Sequence, residues 1–306
     1  MSETGCGLYA LWGKATSNGH LYQLRNLDWS MDTGAQNYPI VAFYEPIDGI
    51  RHAVIGFAGI IGAAVGGVSA KGVAVSEIMG GFGDPEGTSP VPISGVPYTF
   101  LLRECLYHDD TLGKALSRIS AASRTNQYYY CVSGKNDSNK DDARLLFTSH
   151  SRFNAFGGGE TPLPHPHYSP FYTPLADAVY WKRHDGGAYA YPGTEDERKG
   201  NQTLYAAINA HYGSVDDASA IEIARADGVS GTVVSIVYDV TALKFWVAYA
   251  NGATSPATSQ NYVEFDFAKQ PSAMPASCCI TVTFAFAVAL LGGLAIYLRH
   301  KKQMVD

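Results

Sequence analysis

Short apolar runs alternate with breaks rich in Gly, Asn and Asp through the N-terminal third of the chain. Residues 8–14 (LYALWGK) and 20–25 (HLYQLR) flank T-S-N-G, the pattern of two strands joined by a hairpin turn. A second pair follows at 38–46 and 51–57 around Ile47-Asp48-Gly49, and a third at 60–68 and 72–78 turning at Ala70-Lys71. The pattern predicts an opening antiparallel meander. The period then lengthens to that of helices. Pro97 and Tyr98 lead into TFLLRECLYH, with Pro where a helix starts. Asp110 is placed to cap TLGKALSRISAAS, whose apolar positions Leu112, Ala115, Leu116 and Ile119 share a face.

Strands are expected again at 126–134 (NQYYYCVSG) and 143–149 (ARLLFTS), separated by the polar insert KNDSNKDD. Residues 150–200 read as irregular, being rich in Gly, Pro and His. Helical periodicity returns at 201–212 and 216–226, and the body closes on strands GTVVSIVYD, LKFWVAY and NYVEFDF. No internal repeat is present. Strands, then helices, then strands predict an α+β body with sheets inside and helices packed outside.

Residues 268–277 read as a short stalk. After it, residues 278–298 (CCITVTFAFAVALLGGLAIYL) carry no charge. At about 1.5 Å per residue this run spans a hydrocarbon core of roughly 30 Å, so a transmembrane helix is expected. The basic tail at 299–306 begins with Arg299, His300, Lys301 and Lys302, which orients the C-terminus to the cytoplasm and the body to the lumenal or extracellular side. The start, MSETGC, has none of the features of a signal peptide. The sequons at Asn136 and Asn201 agree with lumenal exposure.

Composition narrows the function. The 306 residues suffice for a full core, apolar residues make up 46%, and charged ones only 16%, against about 25% in an average protein. A net charge of −6 argues against a nucleic-acid partner, which needs a basic face. The five cysteines form no C-x-x-C pair, so neither a zinc site nor a disulfide framework is indicated. Cys105 and Cys131 read as buried thiols that could bridge in an oxidising compartment. No cofactor is implied. His165 and His167 are two potential metal ligands without an evident third, and Gly80, Gly81 and Gly83 lack the Lys-Ser/Thr of a phosphate loop.

The richest chemistry lies at the beginning, in TGCGLYALWGKATSNGHLYQLRNLDW. If the bond between Gly5 and Cys6 breaks, Cys6 carries a thiol and a free α-amine together, a nucleophile with its own base. Gly5 has no Cβ to obstruct attack on its carbonyl. One hairpin later, Arg25 can stabilise a thiolate and Asp28 can hold the amine, with Trp29 as a wall. A buried thiol beside a turn ion pair fits the same residues. Glu77 reads as either buried near the thiol or capping a strand edge. Tyr168, Phe171 and Tyr172 read as acyl-pocket lining or as simple packing.

The pattern G-C-G-x-Y-A-x-W-G-K-A-T-x-x-G-x-L-x-x-x-R-N-L-D-W resembles the start of the mature chain in the acyl-coenzyme A:6-aminopenicillanic acid acyltransferase family, N-terminal nucleophile (Ntn) hydrolases cut at a Gly–Cys bond. The resemblance continues through residues 56–77 and 233–250 and covers most of 5–267. It implies a four-layer αββα sandwich, removal of the leader 1–5, and an Ntn catalytic domain at 6–267. By position, Cys6 would be the nucleophile and Arg25 and Asp28 its partners. The segment Ile78-Met79-Gly80 would contribute to the oxyanion hole, through backbone N–H groups because Met79 has no amide side chain. Relatives place an Asn oxyanion donor further along; residues 179–187 offer Arg183 and His184 instead, and Asn251 is the other candidate. The reading is then a membrane-anchored amidohydrolase or acyltransferase acting on a small N-acylated or lipid-like substrate through a thioester. An inactive ectodomain of the same fold and a lipase-like esterase are the alternatives.

Overall fold

The computed structural model describes residues 5–81, 94–125, 127–161, 172–184 and 195–270. Among these residues, thirteen strands fall into two antiparallel sheets. The first contains β1 (Gly5–Leu11), β2 (Tyr22–Asp28), β10 (Ala178–His184), β11 (Thr232–Asp239), β12 (Lys244–Tyr249) and β13 (Val263–Asp266), in the order β10-β1-β2-β11-β12-β13. The second runs in chain order through β3 (Pro39–Tyr44), β4 (His52–Phe57), β5 (Gly66–Ser69), β6 (Ala74–Gly81), β7 (Gln127–Lys135), β8 (Asp141–Thr148) and β9 (Phe153–Phe156). Helices α1 (Tyr98–His108) and α2 (Leu112–Ala121) cover the second sheet; α3 (Glu195–His211) and α4 (Asp217–Asp227) cover the first. The sheets face each other through β1, β2 and β10 against β6, β7 and β8, giving layers in the order αββα.

Strand β7 shows why this arrangement follows from the residues. Tyr128, Tyr130 and Val132 pack with Leu101, Leu102, Cys105 and Leu106 of α1, while Tyr129 and Cys131 enter the core between the sheets. With both faces buried, the run loses its polar alternation and becomes continuously apolar. Each large side chain so buried is worth about 1.5–3 kcal/mol before entropy is counted. Gln23 fixes the sheets relative to each other: its Nε2 donates to Ser76 Oγ at 2.9 Å, and its Oε1 accepts from Ser133 Oγ at 2.5 Å.

Several expectations are corrected. The first hairpin and the next two lie in different sheets, so the opening is not one meander. The third hairpin's first strand starts at Gly66, because Gly59 and Gly62 sit at φ of 91° and 88°, outside the strand region. Thr111, not Asp110, caps α2, accepting from Lys114 N at 3.3 Å. The stretch 150–200 contains β9, β10 and the beginning of α3. Cys105 and Cys131 are free thiols on opposite faces of the second sheet and cannot bridge. Asn201 is buried, and its amide is spent on the backbone of β10. It is no glycan acceptor in the folded chain. The membrane span 278–298, the stalk beyond 270, His165, His167, Tyr168, Phe171 and Gly83 lie outside the described residues. Among the described residues no helix is long and apolar enough to cross a membrane.

Candidate active site

The β1–β2 hairpin places Cys6 opposite Leu27, and on its other side β10 places Arg183 opposite Cys6. The nucleophile candidate is therefore held in a central strand. Cys6, Arg25, Asp28, Glu77 and Arg183 border one cavity of about 300 Å³. Its remaining walls are mostly apolar and include Trp29, Phe57, Val65, Met79 and Tyr98. Trp29 is 45% and Ile60 53% exposed, so the cavity opens on an apolar rim. A shallower surface depression around His108, Lys114 and Asn136 shares no residue with it.

Arg25 is fully buried. Its guanidinium borders the cavity together with Cys6 and donates from Nη2 to Glu77 Oε1 at 2.9 Å. It also donates to the carbonyl of Asn26. Burial works against this charge, but Cys6 and Glu77 outweigh it and keep Arg25 above its ordinary pKa. Burial pushes the Cys6 thiol up, while the charge of Arg25 pulls it down. Glu77 is likewise raised by burial against the pull of Arg25. Cys6 thus faces a cation whose own counter-charge comes from the opposite sheet.

Asp28 does not stand alone. Its Oδ2 accepts from Lys182 Nζ at 2.9 Å and its Oδ1 from Thr232 Oγ1 at 2.7 Å. A bulge between Thr232 and Val234 in the β2–β11 ladder sets Thr232 opposite Asp28. Lys182 Nζ also donates to Asp227 O at 2.7 Å and lies 3.4 Å from Asp227 Oδ1. Burial opposes the Lys182 charge, yet Asp227 and Asp28 together hold it above the usual lysine value. Asn26 Nδ2 donates to Asp227 Oδ2 at 2.9 Å and to Ala224 O at 2.9 Å, tying the R-N-L-D segment to the end of α4. With the Gly5–Cys6 bond in place, the Cys6 nitrogen is still a peptide nitrogen.

The other candidates separate. Met79 lines the cavity, and a bulge between Met79 and Gly81 leaves Gly80 out of register with β7. The space beside Gly80 belongs to Gln127. Asn251 is exposed at the turn after β12, its backbone N–H bonded to Ser255 O, and it does not border the cavity. Its strand has ended at Tyr249, so nearness to a motif in sequence does not carry it to the site. Tyr172 stacks on Tyr180 at 4.6 Å and is packing. Sequence reasoning passed over Lys182 and Asp227. One signal was available: an acid at the last residue of a helix faces the negative end of its dipole and calls for a cation.

No protein-family model matches the chain. Two curated proteins of Dictyostelium discoideum are similar: protein dcd1B, 34% identical over 161 residues, and protein dcd1A, 26% identical over 288 residues. These alignments take in 52% and 86% of this chain, and 30% and 59% of the relatives' own lengths. Among solved structures, the Caenorhabditis elegans ortholog of N-acylethanolamine-hydrolyzing acid amidase superposes with a TM-score of 0.55 at 16% identity, covering 77% of this chain and 93% of its own. Penicillin V acylase from Agrobacterium tumefaciens gives 0.51 at 12%, covering 86% and 87%. The chain therefore shares the α+β sandwich fold of these two enzymes.

Proposed function

We propose that the chain is an amidohydrolase or acyltransferase that acts on an N-acyl amide through Cys6, once the Gly5–Cys6 bond is broken. The observation that carries this reading is the convergence of Cys6, the fully buried Arg25 and Asp28 on the wall of one apolar cavity. The solved neighbours, one an N-acylethanolamine-hydrolyzing amidase and the other a penicillin acylase, support an amide as the scissile group.

In this mechanism the freed α-amine takes the thiol proton as sulfur attacks the substrate carbonyl. The tetrahedral oxyanion is met by backbone N–H groups near the Met79–Gly80 bulge and by the guanidinium of Arg183. Collapse expels the amine, which leaves with the proton, and a thioester remains on Cys6. Water then regenerates the thiol and releases the acid; an amine acceptor gives transfer instead. Phe57, Val65, Met79 and Tyr98 suit an apolar acyl group. The uncharged segment 278–298 would hold the enzyme at a membrane, where such acyl amides partition.

The test combines intact mass, N-terminal sequencing and turnover of a panel of N-acyl amines. A chain beginning at Cys6, an acyl adduct on that residue, and loss of both in Cys6→Ala are expected. Turnover by a chain that still begins at Met1 would overturn the reading.

A further inference from the structure

The charges around Cys6 divide between the two faces of its sheet. Arg25 and Glu77 sit on the cavity side, together with Arg183 and the phenol of Tyr98. Asp28 on β2, which also borders the cavity, meets Lys182 on β10 and Asp227 on α4 on the helix side. Lys182 lies directly opposite Gly7 in the β1–β10 register, one residue from Cys6. An ideal Cβ on Gly7 would fall 1.8 Å from Asp227 Oδ2, so this carboxylate lies hard against the backbone that follows Cys6. The three side chains are buried, and Thr232, Asn26 and Ala224 fix the remaining contacts.

Cleavage before Cys6 would add an amine to this neighbourhood. Asp28 alone would bind that amine as an ammonium, a form with no lone pair for the thiol proton. Asp28 is already occupied. A fixed ammonium 2.9 Å from its Oδ2 neutralises the carboxylate and disfavours a second positive charge beside it. Asp227 works in the opposite sense, and the balance of the two sets the state of the amine. We infer that Lys182 is a positioning residue for the amide chemistry proposed above, holding Asp28 neutralised in advance so that the amine freed on Cys6 stays a base. The inference rests on that proposal.

Opposite charge changes on the helix side test it, read from the pH profile of kcat/KM for the matured enzyme. Lys182→Met leaves two carboxylates and should move the acidic limb up by about one pH unit or more. Asp227→Asn removes an anion and should move the limb down. The double variant leaves Asp28 without either charged neighbour, and its limb should fall back below that of Lys182→Met, whatever its absolute rate. A purely structural role would lower the rate without moving the limb. Limbs that stay put, or that shift the same way in both single variants, overturn the inference. Should Lys182→Met fail to fold, the downward shift in Asp227→Asn decides alone. Failure of the underlying proposal looks different: the wild-type chain is then uncut at Cys6, or Cys6→Ala keeps its turnover.

Discussion

The carboxylate of Asp227 occupies the volume that a side chain on Gly7 would need, 1.8 Å from where its Cβ would lie. This explains the glycine after Cys6. Gly7→Ala should push Asp227 off Asn26 and Lys182 and cost about 1–3 kcal/mol, the usual range for an overpacked interior. Urea denaturation measures it, and an unchanged midpoint would contradict the contact.

Cys6 should be a slow thiol while the chain is uncut. Burial raises it above the ordinary value of 9.0, and Arg25 is the main opposing influence. Iodoacetamide labelling should therefore rise with pH along a curve displaced upward from that of a free cysteine. Arg25→Ala removes the stabilising cation and should displace the curve further. Cys105 and Cys131 are raised as well by burial, and peptide mapping should find label at Cys6 before either of them.

Glu77 makes a prediction about stability. Burial raises its folded pKa above the ordinary 4.5, with Arg25 opposing. A carboxyl raised on folding contributes stability that is fully present below its unfolded pKa and is lost as pH rises through the folded one. Glu77→Gln does not titrate. The stability of wild type relative to this variant should fall as pH climbs from about 4.5, as urea midpoints along a pH series would reveal. A rising difference would mean that Arg25 dominates.

Asn201 clips the outer edge of β10 to α3. It accepts from Lys182 N at 3.1 Å and donates to Lys182 O at 2.9 Å. Asn201→Ala leaves both backbone groups buried without that partner, a loss of about 1–3 kcal/mol. Hydrogen exchange should show the Lys182 amide losing protection first. In a glycosylating host, mass mapping should find Asn201 unmodified in folded protein.

Much of the fold was legible because most strands announce themselves locally. The runs at 127–135 and 232–239 are apolar and aromatic enough to be read without their neighbours. Strand β10 was not, since A-V-Y-W-K-R-H ends in three polar residues between Gly- and Pro-rich flanks. Its lysine is acceptable inside only because Asp28 and Asp227 wait there, 154 and 45 residues away along the chain. Cys6, Arg25 and Asp28 were readable together because one hairpin carries them all. Glu77 reaches Arg25 from the other sheet, a closeness no local pattern encodes. Asn251 misled for the complementary reason, lying next to a familiar motif but past the end of its strand.

New chain ends ordinarily fray, and a nucleophile on a loose end would spend much of its time out of reach. Cys6 is bracketed by Leu27 on one flank and Arg183 on the other. Severing the bond before it would create a terminus that keeps the stiffness of a strand interior, so the loss of motional freedom that productive encounter demands has been met during folding, before any substrate arrives.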